Sequence, residues 1–122
     1  MYNVRLIKCI WTHSSKVVEE SLKYGVASSE EKPKVAILEK SLSLPFAPYV
    51  GLEISGEGWD SGPLVRVSWL SASAQFRCTV ADEYPRNAYG SDLSYQFLLE
   101  SSLQQGWVRP QRGGGDAPPS AK

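Results

Sequence analysis

Three short runs constrain this chain most, because a single pairing register satisfies all of them. They are residues 50–55 (Val50-Gly51-Leu52-Glu53-Ile54-Ser55), 64–70 (Leu64-Val65-Arg66-Val67-Ser68-Trp69-Leu70) and 75–81 (Gln75-Phe76-Arg77-Cys78-Thr79-Val80-Ala81). Side chains alternate between the two faces of a strand, so each run has one apolar and one mainly polar edge. Closing the second turn at Leu70 and Gln75 sets Trp69 opposite Phe76, Val67 opposite Cys78 and Val65 opposite Val80. Closing the first at Gly56 and Pro63 sets Ile54 opposite Val65, Leu52 opposite Val67 and Glu53 opposite Arg66. This register gathers the apolar residues on one face and pairs opposite charges, which is what fixes a register.

The flanking segments extend the sheet. Tyr2 to Trp11 reads as a first strand with apolar residues on both edges, as in a strand covered on both faces or one carrying a bulge. Lys16 to Val26 is ambiguous, since Val18 and Leu22 have helical spacing but Gly25 follows closely. Val35 to Leu44 reads as a strand whose inward edge is interrupted by Lys40, a device that blunts a sheet edge. A helix is expected over about 92–105, capped at Ser91 or Asp92 and ended by Gly106. It lids the apolar face of the meander. The fold expected is α+β, a mainly antiparallel sheet of four or five strands with the helix on one face. The alternative is a small bent β-barrel closed by the first strand.

Length and charge bound the rest. A chain of 122 residues suits one domain with a real core, here 1–109. Residues 110–122, rich in Gly and Pro, hold nothing that offsets the entropy of ordering them and read as a disordered tail. Basic and acidic residues balance at 13 each, which argues against avid nucleic-acid binding. The start has charges spaced among its apolar residues, unlike a signal or membrane segment. Cys9 and Cys78 fall short of a disulfide framework, so a reducing cytoplasm is expected.

Catalytic and metal signatures are absent from the sequence. No phosphate-binding glycine loop, C-x-x-C or H-E-x-x-H occurs. His13 is the single histidine, and with Cys9 and Cys78 it falls short of the four tightly paired ligands of structural zinc. Neither a cofactor nor a metal is expected. The leading expectation is a non-enzymatic module, of adaptor or immunity type, that binds another protein with a basic surface. Its surface would be Glu57, Trp59 and Asp60 in a glycine-rich loop, with Tyr84 and Tyr89 beside it. A tryptophan among glycines folds back on the core in the commoner case and meets a partner in the other. The alternative is a small-molecule or anionic-ligand site on the polar sheet face. There Arg66 and Arg77 are diagonal neighbours, about 7–8 Å apart, with Ser68 and Thr79 between them. A third reading, a hydrolase-like enzyme, would use Asp82 and Glu83 as acid and base.

Overall fold

The computed structural model describes residues 1–24, 33–85 and 95–110. Its elements run β1 (Tyr2–Trp11), α1 (Ser15–Tyr24), β2 (Val35–Leu44), β3 (Glu53–Gly56), β4 (Trp59–Leu70), β5 (Gln75–Val80) and α2 (Tyr95–Gln104). The strands form one sheet in the order β2-β1-β5-β4-β3. It is the expected α+β fold, with the sheet curled into a half-barrel that also suits the bent alternative. Every neighbouring pair is antiparallel except β1 with β5, which is parallel. The first strand is thus internal, flanked by β2 and β5.

Alternation along β1 decides the two faces. Val4, Leu6 and Ile10 point inward and join Ala36, Leu38, Leu44, Leu64, Cys78, Val80, Leu99 and Trp107 in one buried cluster. On the same inward edge lies Lys8, 6% exposed. Its ammonium donates to the Ser102 hydroxyl of α2 at 3.0 Å and lies 3.2 Å from the Glu83 carboxylate. The opposite, outer edge carries Arg5, Ile7, Cys9 and Trp11. In the ladders they stand beside Ser41, Glu39, Ile37 and Val35 of β2, and Arg5 and Ile7 beside Arg77 and Thr79 of β5.

The ambiguous segment is helical as far as Tyr24, the last described residue before the gap at 25–32. Ser14 caps it, its hydroxyl accepting the Val17 N–H, while Val18 is buried. The second helix ends as Gly106 predicts. Gly106 takes φ +95°, its N–H bonds the Leu103 carbonyl, and the Trp107 N–H reaches back to the Ser102 carbonyl. This Schellman closure turns Trp107 into the core. The chain then passes β2, where Val108 and Glu39 exchange two backbone hydrogen bonds of 2.8 and 2.9 Å. Lys40, on the outermost strand as expected, donates to the Gln105 carbonyl and sits over the Trp59 ring, 4.5 Å from its centroid.

The meander register holds in part. Trp69 faces Phe76, Val67 faces Cys78 and Leu70 faces Gln75. Past a bulge between Leu64 and Arg66, the expected Val65–Val80 pair gives way to Leu64–Val80. Leu64 is 1% exposed and the displaced Val65 53%. The first turn is also corrected. It closes at Gly56 and Trp59 around Glu57-Gly58, with Gly58 at φ +81°, so Glu53 pairs with Pro63. The expected Ile54–Val65, Leu52–Val67 and Glu53–Arg66 pairs do not form. One consequence reaches the outer face: Arg66 stands opposite Thr79, and Glu53 is not paired with it. The N-cap expected at Ser91 or Asp92 and the tail from residue 111 lie outside the described residues.

Candidate functional site

The β4–β5 hairpin sets Arg66 opposite Thr79 and Ser68 opposite Arg77. In an antiparallel ladder these four alternate on one face, the diagonal arrangement anticipated from the sequence. They line a cavity of about 130 Å³. With a water occupying about 30 Å³, such a space takes a small group of the size of a phosphate or carboxylate. Both guanidiniums are exposed. Among the described residues the ion pairs are Arg5–Glu39 and Lys8–Glu83, and neither includes Arg66 or Arg77.

Arg77 also borders a second, larger cavity. Parallel pairing of β1 with β5 puts Arg5 directly beside Arg77. Together with Ile7, Ile37, Glu39 and Arg109 these side chains line a cavity of about 510 Å³, within the range of small-molecule sites. Arg109 reaches it because the Val108–Glu39 pairing carries the chain past the edge of β2. The Arg5 guanidinium lies 3.9 Å from Glu39, a long ion pair. Its Nε is buried and has no hydrogen-bond partner among the described residues. In a chain whose charges balance overall, the two cavities gather Arg5, Arg66, Arg77 and Arg109, with Glu39 the one carboxylate among their described lining residues.

The residues expected to meet a protein partner are placed differently. Trp59 is half-buried and packs against the core cluster. Its ring meets Trp107 edge-on, with centroids 6.3 Å apart, and lies so close to Gly56 that a Cβ there would coincide with the indole nitrogen. Lys40 caps it from one side. Burial, and next the Lys8 charge, hold the Lys40 ammonium pKa below the ordinary value. Glu57 and Asp60 are exposed, and Asp60 is engaged locally, accepting the Gly62 N–H. Tyr84 stacks on Trp11, with centroids 6.3 Å apart and planes 5° from parallel. Tyr89 lies outside the described residues.

Asp82 and Glu83 have separate partners. Asp82 accepts from the Trp11 indole at 3.0 Å and from the Tyr84 hydroxyl at 3.4 Å. Burial first, then Asp82, raises the Tyr84 pKa. Glu83 pairs with buried Lys8. Cys9 and Cys78 point to opposite faces, and no cluster of three or more metal-ligating side chains occurs among the described residues. Burial foremost raises the Cys9 thiol pKa, Asp82 adds to the rise, and Arg77 opposes it.

Sequence reading found Arg66, Ser68, Arg77 and Thr79 but missed Arg5, Glu39 and Arg109. Arg5 shares the outer edge of β1 with Ile7, yet nothing local in the sequence says which strand lies beside it. No known protein family matches this chain, and no curated protein or solved structure is significantly similar to it. Among the described residues, no helix is long and apolar enough to cross a membrane.

Proposed function

We propose that this chain is a non-enzymatic binding domain that takes an oxyanion on the outer face of its sheet. The observation that carries this reading is the cavity shared by Arg66, Ser68, Arg77 and Thr79, whose two guanidiniums enter no ion pair among the described residues. Each guanidinium offers a planar fork of N–H donors matched to two oxygens, and the two hydroxyls add rotatable donors. A tetrahedral dianion satisfies two forks and two hydroxyls together, whereas a carboxylate has only two oxygens to share. Phosphate is therefore the better match. Of the described residues of the protein-partner reading, Glu57 and Asp60 are exposed, while Trp59 is engaged with Gly56, Lys40 and Trp107.

Inorganic phosphate should bind with a dissociation constant on the order of 0.1–1 mM at low ionic strength. Isothermal titration calorimetry tests this, with sodium chloride at matched ionic strength as the control. Arg77→Ala should weaken binding about tenfold, the loss of one charge-assisted bidentate contact. Equal heats from phosphate and chloride would remove the proposal.

A further inference from the structure

Resting on the oxyanion reading, we infer that the ligand is a nucleoside monophosphate, its phosphate in the small cavity and its base in the larger one. The two cavities adjoin at one residue, since Arg77 lines both. From β5 to β2 is two strand spacings, about 10 Å, a span that a nucleoside monophosphate covers. Inorganic phosphate alone would leave the larger cavity, about 510 Å³, filled by solvent.

The lining of that cavity describes what lies there. Ile7, Val35 and Ile37 give it apolar walls. Arg5 and Arg109 supply planar guanidiniums, which stack on flat π-systems. Glu39 supplies the carboxylate, an acceptor for ring or exocyclic N–H donors. A flat, partly apolar body with N–H donors, joined to a dianion, is the chemistry of a nucleotide. A purely aliphatic phosphate would leave Glu39 unused.

Calorimetry with the full chain against three probes tests the assignment: inorganic phosphate, adenosine 5′-monophosphate and adenosine. The nucleotide should bind about tenfold or more tighter than phosphate, and adenosine much more weakly than the nucleotide. Arg109→Ala and Ile37→Ser change exposed side chains (Ile37 is 46% exposed), so the fold should persist, as circular dichroism would verify. Each should reduce the nucleotide's advantage over phosphate to about threefold or less while leaving phosphate affinity within about twofold. A nucleotide no tighter than phosphate, with phosphate still sensitive to Arg77→Ala, overturns the inference and leaves the oxyanion reading standing. Binding by neither anion overturns both. A nucleotide advantage untouched by both variants, or equal binding of adenosine and nucleotide, also overturns the inference.

Discussion

Arg5 and Arg77 stand side by side on the outer face, direct partners in the one parallel ladder of the sheet. Like charges set opposite each other on neighbouring strands oppose folding, by roughly 0.2–1 kcal/mol per pair. Arg66 sits diagonally beyond Arg77 and adds to the repulsion. Glu39 approaches Arg5 only to 3.9 Å. An arrangement of this kind is more stable with an anion between the guanidiniums than without one.

Arg77→Gln should therefore stabilise the protein in the absence of ligand. The expected gain is about 0.5 kcal/mol at low ionic strength, shrinking toward zero near 1 M sodium chloride, where the screening length falls to about 3 Å. Urea denaturation at both salt concentrations measures it. A loss of stability at low salt would show that Arg77 already has a neutralising partner.

Gly56 and Trp59 should behave as one unit. Trp59→Ala removes a half-buried aromatic seated on the core and should cost about 2 kcal/mol, below the range for a fully buried tryptophan. Gly56→Ala should cost a similar amount, because the new methyl group takes the space of the indole. In the Trp59→Ala background the same glycine change should cost little, so a double-mutant cycle returns a coupling of about 1 kcal/mol or more. Additive losses would mean that the ring does not lie over the glycine in solution.

The Lys8–Glu83 pair predicts an asymmetry. The Lys8 side chain is 7% exposed and that of Glu83 37%, so only the lysine is costly to leave unpaired. Glu83→Ala should destabilise by about 1–2 kcal/mol, less than for a fully buried pair because water reaches the site. Lys8→Met keeps the packing, removes the charge and should fall within about 1 kcal/mol of the parent. Thermal melts of the two variants decide it, and the reverse order would contradict the burial of Lys8.

How much of this was legible in the sequence depends on how local each signal is. The strands Tyr2–Trp11 and Val35–Leu44 carry their bounds in their own alternation and flanking breaks. The β4–β5 hairpin was readable near its turn, where Trp69 and Phe76 pair, and became unreadable past the bulge beside Leu64. A bulge changes which side chain points inward without altering composition, and Leu64 and Val65 are equally apolar. The Gly56–Gly62 stretch offers three glycines and hence several closures. The chain uses the tightest, because it lets Trp59 lie on Gly56 and lengthens β4. Pairing of β1 with β5 joins residues about seventy positions apart, and no periodicity announces it.

The same division runs through the candidate site. Arg66, Ser68, Arg77 and Thr79 belong to one hairpin, so their convergence followed from a register that was right at that point. Glu53, expected to neutralise Arg66, is removed by the corrected first turn. Arg5 and Arg109 join only through the parallel ladder and the Val108–Glu39 bridge.

Amide chemical-shift mapping tests the central claim most directly. Titrating phosphate into ¹⁵N-labelled protein at fixed ionic strength should shift the amides of Arg66, Ser68, Arg77 and Thr79 together, along one saturating curve. Those of Glu57, Trp59 and Asp60 should stay in place. Shifts confined to other residues, or shifts at these four that chloride reproduces at equal concentration, would contradict an oxyanion site on the outer face of the sheet.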